Sequence, residues 1–202
     1  MNRLTSNISK IAVFLMGIIS ALLILNLIIP SSTTSTIKPT YFPQPIASEK
    51  ILITSAGQSI DTYIVKDIAN DLLLHNTFMP HADQSDLEGI NSVVIVVGHS
   101  ATGELLQEVD HKGELKRLDQ IIEQAQNQSL PIISVYIGGK ERRTPKTDQL
   151  LDKVCTSSTY IIATEDGDYD QFLSSISESF NIPLVKIKDI KNFKAPFSSM
   201  FR

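Results

Sequence analysis

The run Ser92–Val97, SVVIVV, has no polar face. An amphipathic helix or a half-exposed strand needs one, so this segment fits the middle of a parallel sheet covered on both sides. Ile51–Thr54, Pro131–Ile137, Thr159–Ala163 and Leu184–Ile187 read as further strands, with a weaker one over Thr77–His81. Helical periodicity fills the gaps between them. Ile60, Ile64, Ile68 and Leu72 recur every four residues after an N-cap at Ser59, with Asp61 in the first turn. Leu115, Leu118, Ile122 and Ala125 mark a second helix. Leu150, Leu151 and Val154 mark a third, started by Thr144-Pro145. Phe172, Leu173, Ile176 and Phe180 mark a fourth, with Asp170 as its N-cap and Asn181 at its end. Strands alternating with helices imply right-handed βαβ crossovers. The predicted fold is therefore α/β, a doubly wound parallel sheet of five or six strands, flavodoxin-like or Rossmann-like, in the order 2-1-3-4-5. The tail carries Phe193, Phe197, Met200 and Phe201, which are expected to pack back on the domain.

A second feature sets the organisation of the chain. Ile11 to Ile29 is a run of 19 residues without a charge, apolar on every face. As a helix it would be about 28 Å long, close to the hydrocarbon thickness of a bilayer. Arg3 and Lys10 precede it and no charge follows until Lys38, which predicts a cytoplasmic N-terminus and translocation of everything after Pro30. The expected organisation is a cytoplasmic N-terminus over 1–10, a single-pass signal-anchor helix over 11–29, and a Ser/Thr/Pro-rich spacer over 30–48. An extracytoplasmic α/β domain over 49–190 and a tail over 191–202 complete it. The expected location is a cell membrane, with the domain on the side opposite the cytoplasm. The competing reading, a cleaved signal peptide and a secreted domain, suffers from the length of the apolar run and the lack of an A-x-A site.

All 22 acidic residues lie after position 48, and beyond Arg3 and Lys10 the chain has only 16 basic ones. Such a surface is a poor match for nucleic acid, whose binding requires cationic groups to release counterions. Cys155 is alone and reads as a small buried apolar residue. His75, His81, His99 and His111 lack zinc-site spacing, so neither a metal nor a cofactor is expected.

In doubly wound sheets ligands bind outside the carboxyl ends of the strands, where the strand order reverses. The loops expected there are TSAGQS (54–59), GHSATG (98–103) and GGKERR (138–143). From them come the candidate ligand-binding residues Ser55, Gly57, Gln58, Ser59, Gly98, His99, Ser100, Gly138, Gly139, Arg142 and Arg143. The glycines let backbone approach a ligand, the hydroxyls and Gln58 supply donors, and a guanidinium fork matches carboxylate or phosphate. Alternation along the loop would turn only one of the two arginines inward. Each residue also has a bland role: Gly57 in a tight turn, Ser59 as a cap, the arginines as surface ion-pair partners. No G-x-G-x-x-G or Walker A pattern is present, and GHSAT breaks the G-x-S-x-G nucleophile elbow at its last position. Three readings follow: a module binding a small anionic ligand, an envelope hydrolase using His99, or a domain that contacts an envelope protein partner.

The motifs TSAGQS and GGKERR, together with Tyr160-Ile161-Ile162, Asp170 and Ile182-Pro183, resemble an uncharacterised bacterial domain-of-unknown-function family of exported α/β domains. The resemblance spans most of Lys50 to Ile190. It implies export and carries no activity, cofactor or catalytic residue. The family's lysine near a glycine-rich stretch after the third strand is missing from GHSATG. Thr144 and Thr147-Asp148 stand where the family has Gly and then Ser-Asp.

Overall fold

The computed structural model describes residues 45–202. The predicted anchor over 11–29 and nearly all of the spacer lie outside them. Among the described residues no helix is long and apolar enough to cross a membrane.

Ser92–Val97 forms β3, buried along its whole length. It pairs in parallel with β1 (Ile51–Ala56) on one side and β4 (Ile132–Tyr136) on the other. β2 (Asn76–Phe78), β5 (Tyr160–Thr164) and β6 (Leu184–Ile187) complete a six-stranded, all-parallel sheet of order β2-β1-β3-β4-β5-β6. The predicted order is the observed one, extended by β6 at the far edge.

Side chains alternate across each strand, so β3 feeds two cores. Val93, Ile95 and Val97 pack with Leu118 and Ile121 of α3 (His111–Asn127) and Leu150 and Val154 of α4 (Pro145–Cys155). Leu173 and Ile176 of α5 (Phe172–Phe180) join the same layer. Val94 and Val96 face the other way, toward Val65 and Ile68 of α1 (Asp61–Asp71) and toward the tail. There Phe193, Phe197 and Met200 are fully buried around a short helix α6 (Lys194–Ser198), as the sequence suggested. Each such side chain contributes about 1.5–3 kcal/mol by leaving water.

Three helix details differ from expectation, the first being that the cap position of α1 is Ile60, which makes no side-chain cap bond, rather than Ser59. The stripe Ile60, Ile64, Ile68, Leu72 does not all face inward: α1 buries Asp61, Thr62, Val65, Ile68 and Ala69, while Ile60 is 65% exposed. Steps of four overshoot the 3.6-residue turn by about 40° each, so an i, i+4 series winds off the buried face. At α5 the capping is shared. Asp168 Oδ1 accepts the Leu173 and Ser174 N–H groups at 2.7 and 3.2 Å, and Asp170 accepts only that of Phe172. Thr144 does cap α4 with Pro145 following, and Asn181 ends α5 in the left-handed region. Cys155 is buried beside Ser134, and burial pushes its thiol up to about 12, consistent with a packing role.

Candidate functional site

β1 leads to β2 on one side of the sheet and β3 lies on the other, so the strand order reverses between the ends of β1 and β3. Two loops meet there. Gln58 and His99 form an isolated antiparallel bridge, and the Ser100 N–H donates to Gly57 O at 2.8 Å.

Beneath the loops lies a buried ion pair. Glu114 and Arg117 are one helical turn apart on α3, with the Glu114 side chain fully buried and that of Arg117 8% exposed. Arg117 donates to both Glu114 oxygens at 2.9 and 2.7 Å, to Ala82 O at 2.6 Å, and to Ser55 O. Glu114 Oε1 in turn accepts the Gly57 N–H at 2.8 Å and the Gln58 side-chain amide at 3.1 Å. Burial alone would raise the Glu114 carboxyl. The Arg117 bonds and charge, with the Gly57 and Gln58 donors, outweigh it and hold the group below the usual carboxylate range. Gly57 has φ +96°, and an added Cβ would stand 2.5 Å from Leu150 Cδ1 and 2.6 Å from Gly98 O. Gly57 therefore shapes the loop, and Gln58 both braces it through Glu114 and lines a groove with Ile60, Tyr63 and Ser100. Ser55 is buried in β1, and its Oγ has no hydrogen-bond partner among the described residues.

Above the pair an open cleft of about 360 Å³ is lined by Ser59, Ile60, His99, Ser100, Glu141, Arg142 and Thr144. The two arginines of GGKERR part company here. Arg143 is only 3% exposed, bonded to Asp148, to Gly167 O at 2.8 Å and to Asp170, and stacked 5.0 Å from the Phe172 ring centroid. It joins the loop after β4 to the start of α5. Arg142 is 46% exposed and lies on the cleft. Its Nη1 donates to Asp61 at 2.6 Å and lies 3.3 Å from Ser59 Oγ. Its Nε and Nη2 have no partner among the described residues. Only one arginine faces the site, as alternation along the loop implied.

The remaining candidates divide in the same way. Gly98 packs against Ser59, where a Cβ would come within 2.8 Å. Gly138 packs against the Arg142 side chain. Gly139, at φ +65°, accepts the Tyr136 hydroxyl and stands where a Cβ would meet Asp166. Ser100 lines the cleft and also caps the short helix α2 (Ala101–Leu106) through the Gly103 N–H at 3.1 Å. His99 lines the cleft too, but its Nε2 lies 3.2 Å from Glu104 Oε2 and 3.2 Å from Lys146 Nζ. Among the described residues no hydrogen bond joins His99 to Ser100.

Sequence reading missed Glu114, Arg117, Asp61, Glu104, His111 and Lys146. The first two were findable, since they lie four and one residues before Leu118 on the buried face of α3. Charges on an apolar face signal a paired interior site.

These features define a doubly wound α/β domain with a polar cleft at its switch point. The chain belongs to the family described as Domain of unknown function (DUF6305), whose model matches residues 48–201. Among curated proteins none matches the chain. Among solved structures, AlinE4, an SGNH-hydrolase family esterase, aligns at 13% identity over 68% of this chain and 75% of its own, with a TM-score of 0.29. Two single-residue variants of AlinE4 align at 12% and 14% identity with the same TM-score. That overlap is too slight to carry an argument about activity.

Proposed function

We propose that this is a membrane-anchored, extracytoplasmic binding module that takes a small carboxylate or phosphate ester in the cleft between the ends of β1 and β3. One observation carries the reading: the half-exposed Arg142 lines that cleft with one edge of its guanidinium unpaired. A planar fork with free donors suits bidentate anion recognition. Asp61 holds the other edge, fixing the fork's direction at the cost of part of its charge. Ser59 and Ser100 supply hydroxyls on the same wall. The apolar run over 11–29 supplies the anchor.

Hydrolysis through His99 has less support, because Ser100 and His99 are not hydrogen-bonded and Ser100 Oγ already accepts the Gly103 N–H. Contact with an envelope protein has one specific observation in its favour. Ile60, Tyr63, Leu105 and Leu106 are between 50% and 77% exposed, and three of them line a groove beside the cleft.

Thermal denaturation of the intact chain in detergent, with inorganic phosphate, acetate and citrate as probes, tests the binding reading. A bound anion raises Tm by mass action. The shift is expected in the wild type and lost in Arg142→Ala/Asp61→Asn, the second change sparing Asp61 an unpaired charge. A double variant that responds like the wild type would remove Arg142 from the site.

A further inference from the structure

Three side chains that the sequence keeps apart converge beside the cleft. His99 follows β3, Glu104 lies on α2 and His111 opens α3. Glu104 Oε2 is 3.2 Å from His99 Nε2, and Oε1 is 3.3 Å from His111 Nδ1. One ligand atom from each residue lies within 4.8 Å of the others, and all three side chains are at most 15% exposed.

Their outer contacts fix what those atoms offer. Gln149 Oε1 lies 2.9 Å from His111 Nε2 and accepts its N–H, so in the neutral ring Nδ1 turns a lone pair toward a carboxylate oxygen. Lys146 Nζ donates to Glu104 Oε2 and lies 3.2 Å from His99 Nε2, and in the tautomer where that nitrogen accepts from Lys146 its lone pair also turns inward. Acceptors facing acceptors demand a positive charge among them. Lys146 supplies one, but its side chain is 46% exposed on a flexible stem and is free to leave. Imidazole nitrogens with one carboxylate suit zinc, whose bonds of about 2.0–2.2 Å give tetrahedral edges near 3.3 Å. The histidine–carboxylate separations, 3.2 Å to Oε2 and 3.3 Å to Oε1, are near that length on the two oxygens of Glu104, and the three ligand atoms lie within 4.8 Å of one another.

We propose that His99, Glu104 and His111 are the ligands of a zinc-class divalent cation site. In this site Gln149 orients His111 and Lys146 is the cation that zinc displaces. Three protein ligands leave a coordination position for water or another donor. The site shares His99 with the anion cleft, but Arg142 takes no part in it, so loss of anion binding in the Arg142 variant leaves zinc binding intact.

The competing description is a closed ionic cluster, in which a protonated His111 and Lys146 together balance Glu104. The two differ in what happens when the lysine is removed. Calorimetric titration of the metal-free intact chain with zinc chloride, repeated with cobalt(II) under visible absorption, separates them. One zinc per chain is expected, with a Kd of about 1 μM or tighter, and cobalt should give visible bands of a nitrogen/oxygen site. Gln149→Ala should weaken binding roughly 10–100-fold by releasing the ring it orients. His111→Ala should weaken it further, and Lys146→Met should tighten it by removing the competitor. The site is refuted if neither the wild type nor Lys146→Met binds zinc, or if a folded His111→Ala binds it as tightly as the wild type. These two proteins keep the test valid even where a histidine variant does not fold.

Discussion

Two charged clusters sit less than a few turns of helix apart along α2 and α3, and they are built to opposite ends. In the inner one, Glu114 and Arg117 are buried and saturated, their bonds to each other, to Gly57, to Gln58 and to the Ser55 and Ala82 carbonyls being short. In the outer one, His99, Glu104, His111 and Lys146 meet at 3.2–3.3 Å, with the lysine half in solvent. A saturated buried pair has nothing left to offer a ligand, and its removal exposes the full desolvation cost of the surviving partner. The outer cluster keeps one movable member, the half-exposed Lys146. The first is the framework that sets the β1–α1 loop, and the second, with Arg142, is the surface that framework presents.

The comparison breaks most visibly at Glu114. Glu114→Ala leaves Arg117 buried without its counter-charge and frees the Gly57 N–H, a loss expected to be about 3–5 kcal/mol of stability. Chemical denaturation of the variant against the wild type measures it. A loss no larger than that of a surface substitution would mean that the inner pair is not the framework.

A smaller effect follows from pH. The folded-state pKa of Glu114 is depressed, by Arg117 and the loop donors against burial, so its stabilising contribution is present above the unfolded value of about 4.3. That contribution is lost as pH falls through the lower, folded-state value. Asp168 is likewise depressed, by Lys186 and the α5 N-terminal donors against burial, and adds to the loss in the same direction. Tm should therefore fall more steeply with acid in the wild type than in Glu114→Gln, which lacks the titrating carboxyl. Parallel profiles for the two proteins would contradict the assignment.

The fold was largely legible because its signals are local. SVVIVV has no polar face and forms a strand buried along its length, and Thr144-Pro145 and Asn181 mark helix ends by backbone chemistry that needs no partner. The recurrence of Ile60, Ile64, Ile68 and Leu72 located α1 but not its buried face, because a four-residue step is not the helical period. The site was legible only where one segment supplied it: TSAGQS, GHSATG and GGKERR do meet at one rim, and the two arginines divide as alternation along a loop implies. The convergence of His99, Glu104 and His111 was hidden, since spacings of five and seven residues match no metal motif until a short helix and a cap fold them together. Asp61 was read as a first-turn charge. Its pairing with Arg142 depends on two loops whose relative placement only the sheet determines.

The proposed anion cleft lies on the rim between the ends of β1 and β3. The most direct measurement is an amide nitrogen–proton correlation spectrum of the intact chain in detergent during titration with phosphate, acetate and citrate. Saturable movement of the Ser59, Ile60, His99 and Arg142 signals, with those of buried Gly57 and Glu114 nearly still, is the predicted result. Saturable movement confined to another surface, or none at the rim with any of the three anions, would contradict it.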